Sequence, residues 1–220
     1  MSDLPFVLAA PFVPRLRSAV DVEGKLVRAL EALGPLAGRE VGFVDLPDGC
    51  LRDRLTSSGV ASLPLPLTSP LAFDRPDDSL DAVVTLWTAF RGVDDAELRE
   101  VDRVLRPGGR LLVVHDYGRD DVSRLRDAQS PEYRVWSRRE GPFLADDAFK
   151  IRVVHCFWTF ESIDDAQSFL GDAFGERGTA VGADLKRPRL SWNVAIYHRW
   201  QGGVTPEPEP EPELAGAPAR

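Results

Sequence analysis

His115 is the residue of this chain best suited to move a proton. It follows the apolar run Leu111–Val114 and precedes Asp116. The imidazole has a pKa near neutrality, so at a strand end His115 is a candidate general base for an oxygen or nitrogen nucleophile. A histidine in this position can equally be a hydrogen-bonded structural residue, and the sequence leaves both interpretations open.

A second group of polar and aromatic side chains follows another predicted strand. Trp87, Thr88 and Arg91 come at or just after the end of the run 80–87. The carboxyl ends of parallel strands meet at one edge of an α/β sheet, where ligands of such sheets bind. These residues are therefore candidates to line a pocket at the same edge as His115.

The elements that must position these groups lie in residues 80–116, which read as strand, helix, glycine turn and strand. Asp94 can cap the helix, and Pro107 ends it. Gly108 and Gly109 allow the sharp turn that follows. Two buried strands joined by a helix predict a right-handed parallel crossover. The apolar positions of the helix recur at helical spacing: Leu98, Val101, Val104 and Leu105.

The sequence of this unit, RVLRPGGRLLVV after a strand that begins with Asp81, resembles that of the class I S-adenosylmethionine-dependent methyltransferases. The resemblance implies an α/β fold: a doubly wound, mostly parallel Rossmann-like sheet with an antiparallel last strand. It also implies S-adenosylmethionine as cofactor. By position, Asp45 matches the acid that opens the family's glycine-rich loop, Gly49 matches one of its glycines, and Trp87 lies at the same edge.

The upstream half departs from the family pattern D-x-G-x-G-x-G. After Asp45 the chain reads Leu-Pro-Asp-Gly-Cys, so that only Gly49 matches a glycine. Glycine matters there because a Cβ would intrude on the ligand. Beside aspartates, Gly49 is also typical of an ordinary turn. Residues 54–73 contain no Asp or Glu, although the family uses an acid there to hold the ribose. We therefore predict weak or absent binding of S-adenosylmethionine.

The spacing agrees with a reduced sheet. Only 36 positions separate Asp45 from Asp81, which is cramped for two further strands and a full intervening helix. Pro64 and Pro66 favour an edge strand. We predict that the second β-α unit is shortened or lost.

The domain prediction has three parts: an extended, proline-rich segment over 1–17, a methyltransferase-like domain over 18–202, and a disordered Pro/Glu tail over 203–220. A helical pattern spans 20–33. An insertion covers about 131–148.

The insertion mixes aromatic and basic residues. Trp136, Arg138 and Arg139 could form a platform that binds an acidic or nucleic-acid partner, another protein or a second copy of the chain. In the alternative, the segment is a lid that buries Trp136 and Phe143 while the arginines face water.

Composition narrows the function classes. The net charge is −8, which argues against a protein that coats nucleic acid non-specifically. It does not exclude nucleic acid as a ligand. Cys50 and Cys156 give no disulfide framework or metal site. The sequence shows no membrane-spanning run and no basic leader, so we predict a cytoplasmic protein.

Two functions remain open on the sequence. In the first, a degenerate cofactor site leaves the fold as a non-catalytic scaffold or binding partner. In the second, the chain is an active, divergent S-adenosylmethionine-dependent methyltransferase that acts on an unknown substrate.

Overall fold

The computed structural model describes residues 4–46, 49–91, 93–126, 132–145 and 149–203. They form a six-stranded sheet in the order β2-β1-β3-β4-β6-β5, with helices on both faces. The strands are β1 (Val41–Val44), β2 (Ser62–Leu65), β3 (Leu80–Leu86), β4 (Leu105–Asp116), β5 (Lys150–Thr159) and β6 (Arg189–Trp200). The helices are α1 (Val13–Ala19), α2 (Lys25–Leu33), α3 (Cys50–Ser57), α4 (Asp95–Val104), α5 (Glu132–Trp136) and α6 (Ile163–Ala183).

The pairing of the strands confirms the predicted fold class. β2, β1, β3 and β4 run parallel to one another. β6 lies between β4 and β5 and is antiparallel to both. The buried strands β1 and β3 are apolar along nearly their whole length, as expected for a sheet covered on both faces.

The crossover from β3 to β4 places the strand ends at a common edge. Asp94 caps α4, and its Oδ1 accepts the backbone N–H groups of Ala96 (2.7 Å) and Glu97 (3.0 Å). The helix ends at Val104, three residues before Pro107. Proline disfavours helical backbone in the residue that precedes it, so the chain is already extended there.

The second β-α unit is shortened, as the spacing predicts. β2 is the edge strand of the sheet, and no helix or strand is assigned over residues 66–79, all of which the structure describes. This loop is tied to α4 instead. Arg103 donates to the carbonyl oxygens of Phe73 and Arg75, and the Glu100 carboxylate accepts the Phe73 N–H at 2.7 Å.

A hydrophobic core fills each face of the sheet. One face packs under α1, α2, α3 and α6 around the indoles of Trp158 and Trp192. The other packs under α4 and α5, where the rings of Phe143 and Tyr197 stack at 4.2 Å. Both faces are therefore closed, which leaves the strand ends as the places for a ligand.

One local prediction was wrong. The proline-rich N-terminus is not extended throughout, because a 3-10 turn (Ala10–Phe12) leads into α1. Pro11 and Pro14 occupy first-turn positions, where the missing N–H costs no helical hydrogen bond. In α6 the chain bends at Gly175 (φ 60°), whereas Gly178 lies within the second helical segment. Residues 204–220, which hold almost all of the predicted tail, lie outside the described residues.

Candidate functional site

Asp45 and Trp87 begin the loops that follow two neighbouring strands at the carboxyl edge. Both have left-handed backbone, with φ of 50° and 58°. That conformation is uncommon for aspartate and a genuine outlier for a bulky residue such as tryptophan. The Thr88 hydroxyl, one residue further, donates to the Val44 carbonyl oxygen at 3.1 Å and joins the two strand ends.

A buried polar atom at each of these positions lacks a hydrogen-bond partner among the described residues. One is Asp45 Oδ2 and the other is Trp87 Nε1. The Trp87 ring is fixed by stacking on Trp192, with centroids 5.6 Å apart. An acceptor and a donor left unpaired at one edge cost free energy unless another group satisfies them. They are the strongest sign of a ligand at the predicted cofactor site.

Gly49 is buried and is the N-cap residue of α3, and its carbonyl oxygen accepts the Asp53 N–H at 2.9 Å. Its backbone is fully extended, with φ of 176°. Any residue adopts that conformation, so Gly49 does not mark a turn that only glycine can make. Its role in holding a cofactor stays a prediction.

His115 lies in the second core, beneath the insertion. The imidazole is 3% exposed, its Nε2 donates to the Phe90 carbonyl oxygen (2.9 Å), and Trp136 covers it with ring centroids 4.4 Å apart. Burial lowers the pKa of His115 to about 4. The ring is therefore neutral near pH 7, and it is shielded from any substrate in solvent by the Trp136 side chain.

Asp116, the last residue of β4, is engaged by its neighbours. Its Oδ1 accepts the Trp192 indole N–H at 3.1 Å, and its Oδ2 pairs with Arg126. Arg126 also donates to the Pro5 carbonyl oxygen and covers the Phe6 ring at 4.2 Å. These contacts, which we call the Arg126 latch, fasten the N-terminal segment to the carboxyl edge.

The insertion separates the three predicted partner-binding residues. Trp136 is 7% exposed and meets the Phe143 ring edge-on, whereas Arg138 and Arg139 are exposed. A tryptophan buried in the core is not presented to a partner. The partner-binding prediction therefore depends on the two arginines.

The part of the chain that the structure describes shows no metal-binding cluster and no membrane-spanning helix. In those ranges no group of three or more His, Cys, Asp or Glu side chains is arranged to hold a metal ion. None of the helices described is long and apolar enough to cross a membrane. Cys156 is a buried free thiol, and burial raises its pKa.

The sequence did not reveal the Arg126 latch. Arg126 is ten positions from Asp116 along the chain, and Trp192 is far away on β6. The available signal was Asp116 itself, a carboxylate at the end of an otherwise apolar strand.

No protein-family model matches the chain. The ubiquinone/menaquinone biosynthesis C-methyltransferase UbiE of Paraburkholderia phymatum is 32% identical over 148 residues, which cover 64% of this chain and 58% of that protein. The UbiE protein of Bordetella avium is 34% identical over 126 residues, or 55% of this chain and 46% of that protein. The matches thus span about half the length of these curated relatives.

Among solved structures, the complex between the Haloferax volcanii Trm112 methyltransferase activator and a methyltransferase gives a TM-score of 0.47 at 18% identity, covering 83% of this chain and 93% of that one. YcgJ of Bacillus subtilis gives 0.42 at 15% identity, covering 80% and 97%. At such low scores these likenesses support no inference about function. The UbiE relatives confirm the resemblance of this chain to the class I S-adenosylmethionine-dependent methyltransferases.

Proposed function

We propose that this chain is a methyltransferase-like protein with a degenerate S-adenosylmethionine site, and that it acts as a non-catalytic scaffold or binding partner. The observation that carries the proposal is the shortened second β-α unit, which is the unit that holds adenosine in the family. β2 is the edge strand, the loop 66–79 replaces the unit beyond it, and residues 54–73 supply no carboxylate for a ribose. Glu100, the carboxylate that contacts this loop, is already paired with Arg103.

The residues at the carboxyl edge fit only part of the cofactor. Asp45 Oδ2 and Trp87 Nε1 are unpartnered among the described residues and suit a small polar group with both a donor and an acceptor. Residues 54–73 provide no acid for the ribose hydroxyls. Each missing charged hydrogen bond weakens binding by about 1.5–3 kcal/mol, which is over tenfold in affinity. The described residues therefore do not supply polar partners for the whole cofactor.

The end of β4 supplies no free base for methyl transfer. His115 lies beneath Trp136, with its pKa lowered to about 4 by burial. Asp116 is held by Arg126 and Trp192. A general base must reach the proton that it removes, and neither side chain is presented to the edge.

The second candidate is an active, divergent methyltransferase. The two unpartnered atoms and the left-handed backbone at Asp45 and Trp87 favour it, because strained backbone and unpaired polar groups concentrate at functional sites. The names of the curated relatives agree with it. Methyl transfer depends largely on alignment of the reactants, so altered cofactor contacts can still support it.

Calorimetric titration with S-adenosylmethionine and S-adenosylhomocysteine separates the two candidates. Under the proposal, wild-type protein shows weak or absent binding. A dissociation constant in the low micromolar range would refute it. In that case Asp45→Asn, which keeps the shape and removes the charge, should lose binding, whereas Asp172→Asn, an exposed residue on α6, serves as the control.

The scaffold role needs a partner. Arg138 and Arg139 are exposed on a chain of net charge −8, so they present a local basic patch for an acidic protein surface, which a second copy of this chain also offers. Sedimentation velocity tests the homodimer, and affinity capture from the host tests another protein. The variant R138E/R139E should weaken assembly, and Arg99→Glu on the exposed side of α4 is the control. Unchanged assembly and capture would remove the insertion from the proposal.

A further inference from the structure

A cavity of about 410 Å³ opens at the opposite, amino edge of the sheet. It lies between the end of α2, the start of β3, the glycine turn at the start of β4 and the end of β6. Its volume is within the range of small-molecule sites. The lining residues that matter here are Arg39, Asp81, Arg106, Gly109, Arg110 and Trp200.

The cavity carries an excess of positive charge. Arg106 pairs with Asp81 at 2.9 Å, and Asp81 also accepts the Glu40 backbone N–H at 2.9 Å. Neither Arg39 nor Arg110 forms an ion pair among the described residues, although the charge of Arg39 helps to lower the pKa of Asp81. Three guanidinium groups thus face one carboxylate, on a protein whose net charge is −8.

The structure holds Arg110 in place without an anion. Its guanidinium lies over the Trp200 ring, 3.4 Å from the centroid. A Cβ added to Gly34 would lie 2.9 Å from Arg110 Cδ and 3.1 Å from Nε, so the glycine leaves the room that this side chain occupies. Burial lowers the pKa of Arg110. A partly desolvated cation fixed beside a cavity is preorganised for an anionic ligand.

Nearby charges reinforce the positive potential. The pKa of His198, which lies across from Leu112, is lowered by burial and then by the charges of Arg110, Lys150 and Arg152. Arg152 also lines a second cavity, of about 270 Å³, with Lys25 and Arg28. Basic groups therefore follow the same face of the sheet away from Arg110.

We propose that the amino-edge cavity is a binding site for a small molecule that carries a phosphate monoester. The excess of two positive charges matches a dianionic phosphate, whereas a single carboxylate would leave one guanidinium unpaired. Guanidinium groups bind phosphate oxygens through two parallel hydrogen bonds, and Arg39, Arg106 and Arg110, which line the cavity, supply such donors. The proposal is independent of cofactor binding at the carboxyl edge.

A purely structural role for Arg110 predicts a different outcome. Cation–π packing on Trp200 would fix Arg110 with or without a ligand. It does not involve Arg39, which is exposed and has only a longer-range interaction with Asp81 among the described residues. Arg39→Gln therefore separates the two explanations, because it removes one cation and leaves the packing of Arg110 intact.

The test is calorimetric titration of the full chain with inorganic phosphate, glycerol 3-phosphate and acetate. We expect both phosphates to bind and acetate to bind more weakly. Arg39→Gln and Arg110→Gln should each weaken phosphate binding by roughly ten- to a hundredfold, the loss expected for a charged hydrogen bond. Arg99→Gln, an exposed arginine that lines none of the cavities described above, should leave binding unchanged.

Three results would overturn the proposal: no binding of either phosphate, acetate binding as tight as phosphate, or full phosphate binding by Arg39→Gln. Thermal unfolding of each variant shows whether it is folded. If Arg110→Gln is unfolded, Arg39→Gln alone decides, because its exposed side chain contributes little to folding.

Discussion

The Arg126 latch gives a stability prediction with an internal control. Arg126→Met removes the cation and keeps most of the side-chain volume over Phe6. The Asp116 carboxylate, 7% exposed, then retains only the Trp192 N–H as a described partner. A buried charge that loses its counter-ion costs several kcal/mol, so we expect the free energy of unfolding to fall by roughly 3 kcal/mol.

Arg124 supplies the control two residues earlier in the chain. It pairs with Asp184 at 2.6 Å, but the two side chains are 46% and 65% exposed. Solvent screens such a pair, and Arg124→Met should cost less than about 1 kcal/mol. The same substitution at two nearby arginines therefore differs in its expected effect because of burial.

Urea unfolding followed by circular dichroism measures both variants. The single variant Asp116→Asn and the double variant D116N/R126M complete a double-mutant cycle with Arg126→Met. Asp116→Asn keeps an acceptor for the Trp192 N–H without leaving a buried charge, so the double variant should be more stable than Arg126→Met alone. Equal losses for Arg126→Met and Arg124→Met would refute the reasoning. A double variant whose loss in free energy of unfolding equals the sum of the losses for Arg126→Met and Asp116→Asn would refute it as well.

Two further predictions concern His115 and the bend in α6. The buried His115 has its pKa lowered from 6.5 to about 4, so its stabilising contribution is complete above pH 6.5 and is lost as the pH falls toward 4, by roughly 3 kcal/mol in total. Urea unfolding at several pH values should show this loss in wild type and not in His115→Gln, and parallel curves would contradict it. Gly178→Ala places a Cβ 1.8 Å from the Leu170 carbonyl oxygen and should destabilise the fold by about 2 kcal/mol or more. Gly171→Ala, whose nearest contact is Thr179 Oγ1 at 3.4 Å, should be close to neutral in the same thermal unfolding assay.

Local pattern was enough to predict the sheet. The apolar runs of β3 and β4, the capped helix between them and the glycine turn specify a parallel crossover without reference to the rest of the chain. The short interval between Asp45 and Asp81 predicts the shortened second β-α unit for a similar reason, because the length of a segment limits how many strands and helices it can form. Both are properties of contiguous segments.

The surroundings of single side chains could not be predicted in this way. His115 was a candidate base because it ends a strand, but the ring that covers it comes from Trp136, in a segment whose packing has no sequence period. Arg126 likewise meets Asp116 and Pro5 through tertiary packing alone. Solvent access and pKa depend on such long-range contacts, so residue type and strand position give candidates rather than roles.

The two proposed sites can be tested separately because they lie at opposite ends of β3. Asp81 lines the amino-edge cavity and Trp87 stands at the carboxyl edge, six residues further on. At about 3.3 Å per residue in a parallel strand, that separation is roughly 20 Å, well beyond the range at which substitutions usually interact. Arg39→Gln should therefore leave any S-adenosylmethionine binding unchanged, and Asp45→Asn should leave phosphate binding unchanged. If either substitution altered the distant ligand, β3 or the helices beside it would have to shift between two packings, and the rigid apolar core on both faces of this strand argues against such a shift.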